Sequence, residues 1–473
     1  MAIGPLVQSR FLVRVPRADG DTTFFHSLFG TSLVLDRTAE RLLDAFRTPT
    51  TIARPTATLR TFVERRFLVD ATLDERAEFV RVMRPDACDT GAHLQALVLL
   101  AAEQCNLACP YCIKDKLMDL RPERPQARIV AATARRAIDA FLRIAETGPH
   151  TDLGLQFRGG EALLNADVVL DATRHMRAGW TRGAVIASMV SNATLVTEPL
   201  ARAIAELGIS VEVSLDGPRA VHDMVRFTKG GRPTYDRVVA GLARLVAAGV
   251  EVTNVNTTVT AETLPLIDAS FFAELARLGV RHVNLEPDVL RPVMADPTEL
   301  AARVLALRRL ANAHGVELLG CWGRAVRALG VVREGAGLPP AADYALLIVD
   351  ALGQVVPWEY NGVSTLGPAT DLASVLTSAA FRRHVEARSP GQIPECIDCE
   401  VEGLCQGNAS MTLVYERATS QTGLFEHRCA LIRAMTRGVV ATATAVDCHP
   451  PARRRRSRLL APAGPGVGPG GGR

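Results

Sequence analysis

Between residues 93 and 312, short apolar runs and longer amphipathic stretches take turns along the chain. The runs Ala96–Ala101, Leu153–Phe157, Val185–Val190, Ser210–Ser214, Val252–Val259 and His282–Leu285 have strand length. The stretches Ile129–Ile144, Ala166–Ala178, Pro199–Leu207, Tyr235–Ala248 and Leu264–Leu278 space their apolar residues as helices do. Six strand-then-helix units predict an α/β fold, a parallel sheet closed or partly closed into a (β/α)6 barrel. In such sheets chemistry collects at the carboxyl ends of the strands, so functional residues are expected in the loops that follow them.

The flanks read differently. Residues 1–92 combine an extended stretch over Phe24–Leu35 with helical ones over Thr38–Phe46 and Thr58–Phe67, then the run Leu68-Val69-Asp70. They predict a small α/β module for binding or packing. Residues 313–448 hold shorter elements and most of the remaining cysteines. From 449 onward come Arg453–Arg456 and Pro- and Gly-rich sequence, a composition that cannot bury a core and predicts disorder.

A chain of 473 residues is too long for one simple core. Much of its net charge of +4 lies in the last segment, so the folded part is near neutral and carries no nucleic-acid footprint. No apolar run reaches the roughly eighteen residues of a membrane span, and the amino terminus lacks a signal-peptide pattern. The expectation is a cytoplasmic protein with no membrane partner. There, ten cysteines in closely spaced groups point to metal rather than disulfides.

Cys105, Cys109 and Cys112 form a Cys-x3-Cys-x2-Cys loop directly after the first predicted strand. Three thiolates can hold three corners of a [4Fe–4S] cube and leave the fourth iron open, whereas structural sites normally take four ligands. The spacing, with Tyr111 before the last cysteine, resembles the radical S-adenosylmethionine (SAM) superfamily. Further motifs follow in order. Gln156-Phe-Arg-Gly-Gly-Glu161 resembles the family's Gly-Gly-Glu motif, and Val190-Ser-Asn-Ala-Thr-Leu-Val-Thr197 its Thr-Asn-Gly-Thr-Leu stretch, with Ala193 in place of the usual glycine. Val213-Ser-Leu-Asp-Gly-Pro218, followed by His222-Asp223 and Arg226, resembles the branch of anaerobic sulfatase maturases and peptide maturases.

The resemblance implies a partial TIM-like barrel and a SAM-binding [4Fe–4S] cluster on Cys105, Cys109 and Cys112. It also implies contacts to S-adenosyl-L-methionine from Tyr111, Gly159, Gly160, Glu161, Asn192, Ser214 and Arg226. Paired glycines let a backbone approach the methionyl amine, and the planar fork of an arginine suits the SAM carboxylate.

Cys396, Cys399 and Cys405, then Cys429, resemble the SPASM extension, whose full form carries two auxiliary clusters. The position where a further cysteine crosses to the second cluster is Ala409, and Gly353-Gln-Val-Val-Pro-Trp358 lacks the family's Gly-x4-Cys. The resemblance implies a degenerate SPASM domain with one auxiliary [4Fe–4S] cluster; a four-thiolate zinc site is the other reading of this spacing. Cys88, Cys321 and Cys448 have no assigned partner. Glu359 stands where sulfatase maturases place a catalytic Asp, which makes it the candidate base. The first ninety or so residues resemble winged-helix elements that hold a leader peptide as an added strand; a plain packing subdomain is the alternative.

These readings divide the chain into a recognition-like module (1–92), a radical SAM barrel (93–312), a degenerate SPASM domain (313–448) and a tail (449–473). The expected enzyme cleaves SAM reductively to a 5′-deoxyadenosyl radical and abstracts hydrogen from a ribosomally made peptide, giving a crosslink, epimerisation or oxidation. Its partners would be the precursor peptide and an external one-electron donor such as flavodoxin or ferredoxin. The alternatives are an anaerobic sulfatase maturase that generates formylglycine, and an Fe–S or zinc peptide-binding protein without turnover.

Overall fold

A computed structural model describes residues 3–83, 91–120, 123, 126–320, 322–323, 346–357, 364–387 and 389–442. Cys88, Cys321, Glu359, Cys448 and the Arg-rich tail lie outside the described residues.

The amino-terminal segment supplies β1 (Ile3–Gln8), β2 (Leu12–Pro16), β3 (Thr22–His26), β4 (Ser32–Leu35), β5 (Thr50–Ile52) and β6 (Leu68–Asp70). β1 pairs antiparallel with β5 and β6, while β3 pairs antiparallel with β2 and β4. The extended stretch expected over Phe24–Leu35 is therefore two strands, separated by a turn in which Gly30 takes a φ of 67°. The helices Arg37–Asp44 and Ala57–Glu64 begin where Asp36 and Thr56 accept backbone N–H bonds as N-caps.

The barrel strands are β7 (Ala96–Ala102), β8 (Leu153–Gly159), β9 (Val185–Ser191), β10 (Ser210–Ser214), β11 (Val252–Val259), β12 (His282–Pro287) and β13 (Glu317–Leu319). They run parallel and in sequence order, each pairing with the next. The sheet continues past residue 312. The helix Pro297–Ala313, capped by Asp296, leads into β13. Beyond the other edge, β14 (Leu346–Val349) joins β7 in parallel, followed by antiparallel β15 (Gln354–Val355) and β16 (Gly367–Pro368). The sheet has two distinct ends, so the barrel is partial.

The expected helix over Leu264–Leu278 is broken. A 3-10 turn, Leu264–Leu266, holds Pro265, and Asp268 caps a separate helix, Ala269–Arg277. Proline fits a first turn but not a helix interior, which accounts for the break. The carboxyl-terminal region also holds one long helix, Leu424–Thr442, where only short elements were expected. Among the described residues no helix is long and apolar enough to cross a membrane.

The barrel strands sort their side chains by parity. Leu97, Leu99, Leu155, Phe157, Val211, Val213, Val255 and Val283 share one buried core with helix residues such as Ile138, Phe141, Met176 and Leu242. The alternate positions, including Gln156, Ser188, Glu212, Asn254, Asn256 and Asn284, are half-buried and polar. Two of their contacts, Asn254 Nδ2 to Asn256 Oδ1 (2.7 Å) and Asn256 Nδ2 to Glu212 Oε2 (2.9 Å), place them together on the concave face. The period-2 pattern thus makes an apolar outside under the helices and a polar inside.

A buried polar group fixes the turn after β3. His26 has no exposed surface. Its Nδ1 accepts from the N–H groups of Leu28 and Phe29, which leaves Nε2 to donate to Ser9 Oγ; that hydroxyl donates to Glu75 Oε1. Burial, reinforced by Arg66, pushes the imidazole pKa down to about 3. The unfolded chain titrates near 6.5, so below that pH it binds a proton the folded state refuses, and stability falls as pH falls. Going from pH 7 to pH 5 should cost about 2 kcal/mol through this group. His26→Gln should remove that part of the slope, read from urea midpoints at the two pH values; an unchanged slope would refute the assignment.

Candidate active site

The first barrel strand delivers the three-cysteine loop to the carboxyl end of the sheet. Glu103 anchors its start: its N–H donates to Ala127 O, its Oε2 accepts from Ala127 N, and its carbonyl accepts from buried Lys114 Nζ. Further on, Leu107 bridges to Thr228, and Ala108 N donates to Phe227 O at 2.9 Å. The loop therefore lies along the segment that follows Arg226. After Cys112 the chain turns directly into the helix Ile113–Met118.

Gly159 and Gly160 touch the same loop. A Cβ on Gly159 would stand 2.2 Å from Ala102 O, and one on Gly160 2.2 Å from Gln104 O. The N–H of Gly160 donates to Ala102 O at 2.7 Å, and that of Glu161 to Gln104 O at 2.9 Å. The space that a side chain would need beside either glycine is taken by the cysteine loop's own backbone. Glu161 is fully buried and saturated: its carboxylate accepts from Leu163 N, Ser191 Oγ and Asn192 N. It ties the end of β8 to the end of β9.

Asn192 belongs to a closed ring of three. Its Nδ2 donates to Asn106 Oδ1 (2.9 Å), Asn106 Nδ2 donates to Thr194 Oγ1 (2.8 Å), and Thr194 Oγ1 donates to Asn192 Oδ1 (2.6 Å). The same Nδ2 lies 3.9 Å from Cys105 Sγ. Ala193 holds a φ of 56°, the left-handed conformation for which glycine is the usual residue.

The end of β10 is organised by a residue to which the sequence reading gave no role. Asp216 has no exposed surface. Its carboxylate accepts from Tyr111 Oη, Arg226 Nε (2.8 Å) and Thr258 N (2.9 Å). Arg226 also sits over the Tyr111 ring at 5.5 Å. The Tyr111 hydroxyl is thus spent inside the protein. One edge of the Arg226 guanidinium is spent as well, while its terminal amino groups have no protein partner among the described residues. The available signal was a carboxylate at a strand end with one arginine ten residues on: a buried carboxylate needs a cation.

The thiols themselves are half-buried and unpaired by disulfides. Burial pushes Cys109 up to about 12, with Arg226 pulling the other way, and raises Cys105 and Cys112. All three lie on one short loop, in which Cys112 N donates to Cys109 O at 3.0 Å.

Cys396, Cys399, Cys405 and Cys429 form a second such group. Cys396 is raised by burial and then by charge on each of the other three, and Cys429 is pushed to about 12. Buried thiols keep their protons until a metal replaces them, so both donor sets fit a thiolate-bound metal group. Among the described residues no three Cys, His, Asp or Glu side chains gather on a point suited to one ion. Zinc would hold its sulfurs within about 2.3 Å of one centre. Ala409 is buried at the position where the family pattern has a crossing cysteine.

The first strand of a partial parallel barrel runs into a loop of three thiols. Residues 100–263 match the profile of the radical SAM superfamily, whose members use a [4Fe–4S] cluster and SAM. A serine-type anaerobic sulfatase-maturating enzyme of Bacteroides thetaiotaomicron is 29% identical over 159 residues, 33% of this chain and 38% of that protein. The radical SAM cyclopropyl synthase TigE of Paramaledivibacter caminithermalis is 19% identical over 435 residues, 85% of this chain and 89% of that one. Among solved structures, anSMEcpe with bound AdoMet superimposes with a TM-score of 0.55 at 17% identity, covering 66% of this chain and 88% of that one. The same protein with AdoMet and a Cp18Cys peptide gives 0.53.

The glycine contacts are open to a direct check. Gly160→Ala should push the Gln104 carbonyl aside and displace Cys105. We expect iron bound at the three-cysteine loop to fall at least about fivefold in anaerobically reconstituted protein, while iron at the four-cysteine group persists. Full occupancy of both would show that the loop tolerates the methyl group.

Proposed function

We propose that the protein uses radical SAM chemistry to abstract hydrogen from a ribosomally made peptide, leaving a crosslink, an epimer or an oxidised residue. One observation carries this reading: Asp216, just past the end of β10, holds both Tyr111 of the three-cysteine loop and Arg226, so the loop and a guanidinium with free amino groups meet at the carboxyl end of the barrel. When bound, the cluster and SAM supply one-electron cleavage of the sulfonium to a 5′-deoxyadenosyl radical.

The chain's own residues bind and orient. Cys105, Cys109 and Cys112 would hold the cluster. The free amino groups of Arg226 suit a carboxylate, held at fixed angle by Asp216. Asn192 and Ser214, at neighbouring strand ends, offer polar contacts to the rest of SAM, and Gly159, Gly160 and Glu161 shape the loop beneath it. Gln156, Glu212 and Asn256 line the chamber in which peptide amides and side chains would find partners. Cys396, Cys399, Cys405 and Cys429 would hold one auxiliary cluster with no open corner, suited to electron relay or support. Glu359 is the proposed base, and residues 1–92 the proposed seat of a leader peptide.

The relation to TigE over 85% of this chain supports a maturase of this wider type. The sulfatase-maturating relative, matched over 33% of this chain, favours a second reading, formylglycine formation.

Anaerobic protein given SAM and dithionite should yield 5′-deoxyadenosine, and Cys109→Ala should yield none above background; equal yields would end the proposal. Glu359→Gln should lower modified peptide at least about tenfold while cleavage of SAM persists. Mass spectrometry of a co-expressed precursor separates the readings, since formylglycine in a sulfatase peptide would move the assignment to the second.

A further inference from the structure

The four-cysteine region has little structure of its own. Between residues 389 and 409 it contains one 3-10 turn, Pro394–Cys396, and a four-residue helix, Glu402–Cys405. Two non-glycine residues there, Asp398 (φ 69°) and Gln406 (φ 51°), take the left-handed conformation. Such backbone persists only when its surroundings over-determine it.

Those surroundings come from the other end of the chain. Arg10 Nη2 meets Glu402 Oε2 at 3.0 Å, with the glutamate side chain 1% exposed. The other oxygen of Glu402 accepts from Gly391 N (2.7 Å), and Gly391 O accepts from Arg76 Nε (2.7 Å). Ser27 Oγ donates to Glu400 O at 2.5 Å. A Cβ on Gly403 would stand 2.6 Å from the Leu28 backbone, and one on Gly391 2.7 Å from Val80 Cγ2. Val13, Val15 and Phe25 share their core with Cys396, Leu404 and Met435. Arg10 is itself fixed, since its N–H donates to Glu75 Oε2 at 2.9 Å.

We infer that the amino-terminal module is a wall of the four-cysteine site, with Arg10 acting through Glu402 as the residue that positions the Cys399–Cys405 turn. The site fills only when this module is seated against it. Three of the four thiols lie on the segment the module holds, and the fourth, Cys429, comes from the helix Leu424–Thr442, which packs on β2 and β3 of the same module. A leader-binding role and a metal-site role would then be carried by one folded unit. This inference rests on the reading of one auxiliary cluster.

The test uses full-length protein, anaerobically reconstituted with iron and sulfide, as wild type, Arg10→Ala and Gly403→Val. The wild type should carry about eight irons for two cubes. Both variants should fall to about four, and the remaining reduced-cluster electron paramagnetic resonance signal should still change on adding SAM. Eight irons with both signals intact in the variants would overturn the inference, as would loss of all iron together with the native circular dichroism spectrum. A wild type with about four irons and one zinc would refute the cluster reading alone; zinc content then reports the variants in the same way. A wild type with about four irons and no zinc would overturn both.

Discussion

The carboxylate of Asp216 is the constraint on which the active end of the barrel depends. Three donors reach it from three parts of the chain: Tyr111 from the cysteine loop, Arg226 from the loop after the helix Arg219–Val225, and Thr258 N from β11. Asp216 is fully buried, so these three donors stand in for solvent around its charge. Removing one member of such a pair strands the other charge and typically costs about 3–5 kcal/mol. The geometric effect matters more here. Tyr111 adjoins Cys112, so the carboxylate fixes the last thiol of the loop relative to the Arg226 guanidinium.

Close backbone approach is the second device. Gly159 and Gly160 bring the end of β8 against Ala102 and Gln104, and Gly241 lets the helix Tyr235–Ala247 press on Ala193, whose carbonyl would lie 2.0 Å from an added Cβ. Glu161 then links this layer to Ser191 and Asn192. The motif residues at the ends of β8, β9 and β10 chiefly bind one another. They form a rim, and what the rim leaves for a bound molecule under the proposed function is the thiols, the Arg226 amino groups and the polar concave face.

Much of this was legible in the sequence, for physical reasons. Strand runs such as Val252–Val259 and Ser210–Ser214 coincide with the observed elements because helices cover one face and the period-2 pattern stays clean. The helix Pro297–Ala313 and β13 escaped notice because the helix has a weak apolar stripe and the strand only three residues. In the site, residue types and order were readable, but their partners were not. Arg226 read as a ligand for a carboxylate without its internal claimant Asp216, and the paired glycines read as a backbone approach to the methionyl amine, with no sign that Ala102 and Gln104 press on the same residues. Sequence spacing names groups able to bind; only the fold shows which are already engaged. The pairing of Arg10 with Glu402, nearly the whole chain apart, had no signal in either segment.

The two cysteine groups are joined through the chamber as well as through the fold. Arg428, next to Cys429, donates to Glu286 Oε2 at 3.0 Å, and Glu286 lies on the concave side of β12. The helix bearing the fourth thiol is thereby pinned to the polar wall that includes Asn256 one strand away and Glu212 two strands away. Both partners of this ion pair are largely shielded, so it is stiffer than a surface pair. A peptide lying along that wall would touch the barrel on one side and the support of the outer thiols on the other. One shielded ion pair thus ties the helix that carries the fourth thiol to the inner face of the barrel, which limits how far the outer thiols can shift relative to that wall.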